Sequence, residues 1–238
     1  MCGIVQLLLR NVGWGPAVAV SVAPVALLYQ ATLTPSKIEL LQAWVPHQPW
    51  LGEADATTVE AVGAYRFDDP DGEVGMETHL LRTADGQILQ VPVTYRGSPV
   101  AGADSSLIAT MQHSVLGERW VYDACSDPVY VRALATAVLS GGTQAELDVV
   151  TDAGLERRQA TTRVSGSGSD HSAIPPIASV SHSSAGTMTF IRALHLELTL
   201  VRAIDSDGES SVRGGPQRLV GTWPGHDAPA LLALARIT

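Results

Sequence analysis

Aromatic and imidazole side chains lie close together in residues 44–50. Indole rings can stack on the faces of sugars, and an imidazole supplies a hydrogen-bond donor and acceptor beside them. The same residue types at the end of a helix are also typical of the margin of a hydrophobic core. The segment therefore predicts a ligand or partner surface formed by Trp44, His47 and Trp50, with a packing role as the alternative.

A second group of polar residues falls on strands that are predicted further along the chain. Glu77, His79, Tyr95 and Asp123 would line a pocket if the sheet and its helix enclose a cavity. Such a pocket would favour an enzyme or a small-ligand binder. A filled core with an exposed apolar patch would instead favour a module that binds a partner.

Other motifs imitate metal sites without completing them. Residues 69–73 resemble the middle of a calcium loop, but Phe67 occupies the first ligand position and Thr78 the twelfth, where a bidentate Glu is needed. A hairpin turn is the predicted role of this segment. The seven histidines are single, with no His-x-x-x-His or Cys-x-x-Cys pair, so a zinc site is not indicated.

Two segments contain a nucleophile without the motifs that activate one. Removal of Met1 would expose Cys2 as in an N-terminal-cysteine amidotransferase, but the downstream binding motifs of that class are missing from the sequence. His171 stands beside Asp170 among serines, yet there is no Gly-x-Ser-x-Gly elbow to fix a triad. We therefore predict no catalytic, cofactor-binding or metal-ligating residue, and no cofactor.

A helix is predicted between Thr34 and Pro46. Thr34 can act as the N-cap, and Pro35 suits the first helical position because its missing N–H would be unpaired there. Pro46 ends the helix. Apolar residues at helical spacing form one stripe, which comprises Ile38, Leu40, Leu41, Trp44 and Val45. Such a stripe requires a partner surface.

Antiparallel strands with a two-residue period are predicted to supply that surface. Strands are predicted over 59–67, 74–80 and 89–95, with turns at 68–72 and 85–86. A hairpin over 107–124 and a second helix over 127–142 follow. Pro92 cannot donate to a ladder, so its strand is predicted to lie at an edge or to carry a bulge.

The order of several segments is similar to that in the N-terminal cap domain of bacterial maltokinases. Residues 44–50 resemble the Trp-Leu-Pro-x-x-x-Trp segment that opens the cap, and residues 62–70, 91–96 and 120–124 continue the resemblance. The chain resembles the short standalone proteins of this maltokinase N-terminal cap-like family. The resemblance implies an α+β fold of cystatin-like topology, in which a curved antiparallel sheet packs on one or two helices and additional C-terminal strands follow.

Four regions are predicted along the chain. Residues 1–28 are a leader or the product of a misassigned start, 29–142 are the cap-like α+β domain, 143–186 are a Ser/Gly/Pro-rich linker, and 187–238 are C-terminal strands that join the main fold. The apolar run in the first region is typical of a signal peptide, but we favour a start near Val25, where relatives in the cap-like group begin.

The C-terminal strands resemble a degraded first lobe of a kinase. Residues 181–187 and the strand over 196–202 stand where the phosphate loop and the lysine strand would lie, with Thr199 about where the lysine is expected. Phosphoryl transfer depends on a cation and metal-held phosphates positioned against a base. The sequence ends before a second lobe could be built, so we expect a non-catalytic relative and no independent kinase activity.

The composition narrows the function further. A net charge of −9 and a pI near 5.1 argue against a nucleic-acid or anionic-membrane surface. Cys2 and Cys125 lack metal-type spacing and fit a reducing cytoplasm.

The resemblance implies a binding or regulatory module linked to maltose, trehalose or glycogen metabolism, with a protein of that metabolism as its partner. The alternative is a sugar- or nucleotide-binding protein, or an enzyme, that uses a cavity of the cystatin-like sheet.

Overall fold

The computed structural model describes residues 26–28, 31–151, 154–158, 160–169, 172–205 and 216–238, with the backbone alone for 26–28 and 147–158. Within these residues the α-helices are α1 (Lys37–Trp44) and α2 (Pro128–Leu139). The strands are β1 (Ala26–Leu28), β2 (Leu33–Thr34), β3 (Val59–Phe67), β4 (Gly75–Thr83), β5 (Ile88–Arg96), β6 (Leu107–His113), β7 (Gly117–Asp123), β8 (Leu147–Thr151), β9 (Gly154–Arg158), β10 (Arg163–Gly166), β11 (Ser181–Ala185), β12 (Met188–Ala193), β13 (Leu196–Val201), β14 (Ala203–Ile204), β15 (Gln217–Trp223) and β16 (His226–Ile237).

The strands form three sheets. A curled seven-stranded antiparallel sheet has the order β2-β6-β7-β5-β4-β3, with β14 added beside β5. A six-stranded antiparallel sheet has the order β10-β15-β16-β13-β12-β11. In the third sheet, β1 runs parallel to β8, and β8 pairs with β9. The predicted α+β class, with a curved antiparallel sheet, two helices and additional C-terminal strands, is confirmed.

The seven-stranded sheet separates two hydrophobic cores, because successive side chains of a strand point to opposite faces. On one face, Leu41 of α1 packs with Val91 of β5. On the other face, Tyr65 of β3 shares a core with Leu134 of α2 and Leu198 of β13. The helix α2 also lies against β10, β15 and β16, so this second core joins the two large sheets.

The helix α1 begins after Ser36, so the predictions of Thr34 as its N-cap and of Pro35 as its first helical residue are wrong. The Ser36 hydroxyl accepts a hydrogen bond from the Glu39 N–H, and Glu39 Oε2 accepts one from the Ser36 N–H at 2.8 Å. This is a capping box, whose Ser-x-x-Glu signature is present in the sequence. Thr34 pairs with Gln112 as part of β2, so it belongs to the sheet.

The strand that contains Pro92 lies inside the sheet and its pairing with β4 has no bulge, so the prediction of an edge strand or a bulge is wrong. β5 pairs with β4 along most of its length, and there Pro92 lies opposite Thr78. Its other side is divided between two partners: β14 pairs up to Leu89, and β7 pairs from Val93 onward. Pro92 therefore occupies the gap between these partners, where a missing N–H breaks no ladder.

The segment 143–186, predicted as a linker, contains the strands from β8 to β11. Local sequence gives little signal for β10 because its partner is distant in the chain. Arg163 on β10, for example, pairs with Thr222 on β15. The division of the chain into four regions stays a prediction.

Several sequence features lie in residues that the structure does not describe. Residues 1–25, Cys2 and the Asp170–His171 pair lie outside the described residues. Neither of the two described helices is long and apolar enough to cross a bilayer.

Candidate functional site

Charged and polar side chains lie buried or half-buried beneath α1, on the face of the seven-stranded sheet that this helix covers. Glu77 and His79 lie on β4 and Tyr95 lies on β5. Lys37, in the first turn of α1, donates to Glu77 Oε2 at 2.5 Å. His79 Nε2 lies 3.3 Å from the Tyr95 hydroxyl. We call Lys37, Glu77, His79 and Tyr95 the helix-side cluster.

The charge states of the helix-side cluster are set by its neighbours. Burial would raise the pKa of Glu77, but the charges of Lys37, His79 and Arg66 lower it to about 2. Burial lowers the pKa of His79, which Glu77 opposes without reversing, so the imidazole is neutral at pH 7. Burial raises the pKa of Tyr95 well above its usual value. At pH 7 the cluster is therefore an ion pair between Lys37 and Glu77 with two neutral groups beside it.

Arg66 is a further cation beside this cluster. It pairs with Glu77 across β3 and β4 and is 8% exposed. Its Nε and Nη1 have no hydrogen-bond partner among the described residues. A buried cation with unused donors is destabilising, because the lost hydration is not replaced.

Asp123 lies in a different cluster, although it belongs to the same row of the sheet. Glu77 pairs with Val93, and Val93 pairs with Asp123 on the next strand. The apolar side chain of Val93 therefore separates the two carboxylates. Of the four residues predicted to line one pocket, the structure brings together Glu77, His79 and Tyr95 and leaves Asp123 apart.

Arg202 binds Asp123 and connects the two large sheets. Its Nη2 donates to both Asp123 carboxylate oxygens, at 2.8 and 2.6 Å. Its Nε donates to Thr189 of the six-stranded sheet at 2.9 Å. The guanidinium also lies over the Trp50 ring, 4.7 Å from the centroid, in a cation–π contact. We call Asp123, Thr189, Arg202 and Trp50 the sheet-junction cluster.

The predicted surface of Trp44, His47 and Trp50 is only partly accessible. Trp50 is 1% exposed and belongs to the core beneath α1. The Trp44 ring is half-buried, with its centroid 5.8 Å from that of Trp50. His47 is exposed. A ligand or partner at this corner would therefore meet Trp44 and His47, with Trp50 packed against Trp44 from within.

A groove of about 520 Å³ lies between α2 and the turn that joins β3 to β4. Its apolar walls include Phe67 and Ile177, and its charged walls include Asp68 and Arg132. Burial raises the pKa of Asp68, which the charge of Arg66 opposes. The groove combines apolar surface with a few charged groups, as small-ligand sites commonly do.

The acidic turn beside this groove uses its carboxylate internally. Asp69 accepts hydrogen bonds from the N–H groups of Asp71, Glu73 and Val74, at 3.1, 3.0 and 2.9 Å. The predicted hairpin turn is confirmed. Within the described ranges, no three His, Cys, Asp or Glu side chains are grouped so that they could hold a metal ion.

The six-stranded sheet carries the residue predicted at the lysine position of a kinase first lobe. Thr199 on β13 pairs with Phe190 on β12 and with Leu234 on β16. Phe190 is 38% exposed. This row across three strands is therefore uncharged and partly apolar.

The part of the chain from Trp44 to the N-cap of α2 is similar to a known domain. Residues 44–127 match the family model of the maltokinase N-terminal cap domain. The match confirms the predicted resemblance and covers about a third of the chain. We call residues 44–127 the cap region.

Wider comparisons add a distant likeness in fold. No curated protein matches the chain. Among solved structures, a glucosamine kinase in complex with glucosamine, ADP and inorganic phosphate shares 12% identity, with a TM-score of 0.46. The likeness covers 86% of this chain, which spans 41% of that structure.

The cap region contains only part of each buried cluster. Lys37 precedes it and Arg202 follows it, and these two cations compensate Glu77 and Asp123. Sequence reasoning missed both. Lys37 is the single lysine of the chain, which could have drawn attention to it. No spacing signal connects Arg202 with Asp123, because 79 positions separate them.

Proposed function

We propose that this chain is a maltokinase-cap-like binding or regulatory module linked to maltose, trehalose or glycogen metabolism. The match of residues 44–127 to the maltokinase cap domain carries the proposal. In this function the chain binds a protein of that metabolism in the cytoplasm and does not itself transfer a phosphoryl group.

The chemistry of the six-stranded sheet supports the non-catalytic part of the proposal. A phosphoryl-transfer site places a cation against the phosphates. Thr199 stands where the resemblance to a kinase first lobe places that cation, between Phe190 and Leu234. An uncharged row with a partly exposed aromatic ring is better suited to a packing contact than to phosphates.

The contact surface that we propose is the corner at the end of α1. Trp44 and His47 are its accessible residues, and the buried ring of Trp50 supports Trp44. An indole held in place by a second ring loses little conformational freedom on binding, which is typical of residues that dominate interface energies.

Binding measurements with the full chain test this function. Purified enzymes that form or consume maltose, trehalose and glycogen are immobilised, and association is measured by biolayer interferometry. We expect at least one to bind, and Trp44→Ala to weaken that binding by about tenfold or more. His47→Ala should weaken it less. The matched control is His195→Ala, an exposed histidine in the turn between β12 and β13.

An activity assay tests the alternative that the chain is an enzyme. The chain is incubated with ATP, magnesium and maltose or glucosamine, and phosphorylated sugar is measured by mass spectrometry. We expect none above the background without protein. Turnover that Thr199→Ala abolishes would contradict the proposal and identify an enzyme.

The groove beside α2 favours a second candidate, a small-ligand-binding protein. Its volume of about 520 Å³ fits a sugar or nucleotide. Maltose, trehalose, glucosamine, maltose 1-phosphate and ATP with magnesium are screened by thermal shift, since a ligand that binds the native state raises Tm. Thr136→Trp would fill the groove from the exposed side of α2 and should abolish such a shift. A shift that survives Thr136→Trp places the ligand elsewhere.

A further inference from the structure

The outer strands of the large sheets differ in what covers them. On β3, the Arg66 carbonyl accepts a hydrogen bond from the Ala145 N–H at 2.8 Å. On β10, the Gly166 N–H donates to the Gly142 carbonyl at 2.9 Å. Residues that follow α2 therefore occupy backbone groups of β10 and of the second half of β3. The first half of β3 has a bulge between Ala61 and Gly63, and both features hinder pairing with another chain.

β11, the other edge of the six-stranded sheet, has no such cover within the described part of the chain. No backbone hydrogen bond between described residues reaches its outer side. It contains neither Pro nor Lys, and its pairing with β12 has no bulge. The open part of β6, by contrast, has a bulge between Leu107 and Ala109, which is a common protection of an edge.

The hairpin of β11 and β12 determines which backbone groups face outward. Ala185 and Met188 close a two-residue turn, and the closing pair of such a turn is hydrogen-bonded. Bonded and non-bonded positions then alternate along the strand. The N–H and C=O groups of Ser183 therefore bond to β12, whereas those of His182 and Ser184 point away from the sheet.

We propose that two copies of this chain associate through the outer edges of β11, in antiparallel orientation about a two-fold axis at Ser183. His182 of each copy then forms a hydrogen-bonded pair with Ser184 of the other, and the two Ser183 residues form the non-bonded pair between them. The alternation of bonding positions permits this register because it is symmetric about Ser183. The product is a continuous twelve-stranded sheet.

The side chains of this edge fit a second copy of the same strand. β11 contains no carboxylate, although the chain has a net charge of −9, so the contact avoids repulsion between acidic groups. On the same face of the sheet, Phe190 and Met188 are 38% and 37% exposed and pair with Ser183 and Ala185. Small side chains at the axis leave room for these apolar groups from both copies, which would lose water on association.

Sedimentation velocity of the full chain tests the proposal. We expect a species of twice the 25.0 kDa chain mass at about 10–100 µM protein. Ser183→Lys places two ammonium groups opposite each other at the axis and should weaken association by about fivefold. Ser183→Asp should weaken it similarly. An equal mixture of the two variants places opposite charges at the axis and should restore the association strength of the unsubstituted chain.

Ser183→Thr is the matched control and should leave the dimer intact, because threonine suits a strand and adds no charge. Circular dichroism checks that each variant is folded, as expected for an exposed side chain. A monomer at all concentrations would overturn the proposal. So would a dimer that both charged variants leave unchanged, or charged variants that associate no more strongly when mixed than alone.

Discussion

The helix-side and sheet-junction clusters compensate the charge of a buried carboxylate in different ways. In the first, Lys37 and Glu77 have side chains that are 17% and 11% exposed, and Arg66 is a second cation nearby. In the second, Arg202 is fully buried and provides the compensating charge for Asp123. Two cations therefore share the compensation of Glu77, whereas Asp123 depends mainly on one.

This difference determines how much stability is lost when one residue of each cluster is substituted. Removing one partner of a buried ion pair leaves the other charge without compensation, and the penalty grows as water is excluded. A carboxylate with several cations nearby loses only part of its compensation when one is removed. The sheet-junction cluster should therefore be the more sensitive of the two.

The largest expected effect is that of Arg202→Leu. It leaves Asp123 buried without its cation and removes the contacts to Thr189 and Trp50, so the free energy of unfolding should fall by roughly 3–5 kcal/mol. Urea unfolding measures this change. Arg192→Leu is the matched control, because that exposed arginine pairs with Glu197 at 3.5 Å and should contribute less than about 1 kcal/mol.

Lys37→Met should destabilise less, by roughly 1–3 kcal/mol. It removes the hydrogen bond to Glu77, but the Arg66 cation remains near the carboxylate. Urea unfolding compares Lys37→Met with Lys37→Arg, which keeps the charge and should recover most of the loss. A loss as large as that of Arg202→Leu would remove the proposed difference between the clusters.

The pH dependence of the free energy of unfolding distinguishes the contribution of Glu77 from that of His79. The folded pKa of Glu77, about 2, lies below its ordinary value of 4.5, so the unfolded chain binds the extra proton between these values. The stability contributed by Glu77 is therefore complete above about pH 4.5 and is lost as the pH falls, by about 2 kcal/mol at pH 3. Urea unfolding at pH 7 to 3 should show a flatter profile for Glu77→Gln.

Protonation of His79 also lowers the free energy of unfolding as the pH falls, but it begins at a higher pH than that of Glu77. Its pKa is lowered from 6.5, so the unfolded chain takes up a proton first and stability begins to fall below about pH 6.5. His79→Gln should remove the decline between pH 6.5 and 4.5 and leave the steeper decline below it. An unchanged profile in both variants would show that neither group is linked to folding.

Arg66→Met should have the smallest effect. The substitution removes two buried donors that have no partner among the described residues, which favours folding. This gain in stability offsets the lost attraction between the Arg66 cation and the Glu77 carboxylate. We expect the free energy of unfolding to change by less than about 1 kcal/mol at pH 7. A loss above that, measured in urea, would mean that Arg66 is as important to Glu77 as Lys37 is.

Local patterns predicted the fold better than they predicted the clusters. The two-residue period of β3, β4 and β5 and the turn at Asp69 could be read from neighbouring residues, because strands and turns depend on local spacing. The start of α1 was misplaced because Thr34, a good cap by type, is taken by β2, while the Ser36–Glu39 box was overlooked.

The clusters could not be predicted because they depend on contacts between distant segments. Glu77 and Asp123 were chosen as polar residues of a strand, and both are in the same row of the sheet. Their separation by Val93 and their separate cations depend on the register of three strands and on the position of Arg202. A single sequence carries no local signal for such pairings.

The distance along the chain between Arg202 and its contacts has a consequence for synthesis. The ribosome completes the cap region, with Trp50 and Asp123, well before Arg202 is translated. Until then the surface that Arg202 will cover remains hydrated, and the nascent chain presents an indole and a carboxylate where the finished protein has a dry junction. The contacts that close the two large sheets at this junction can therefore form only after Arg202 has been translated.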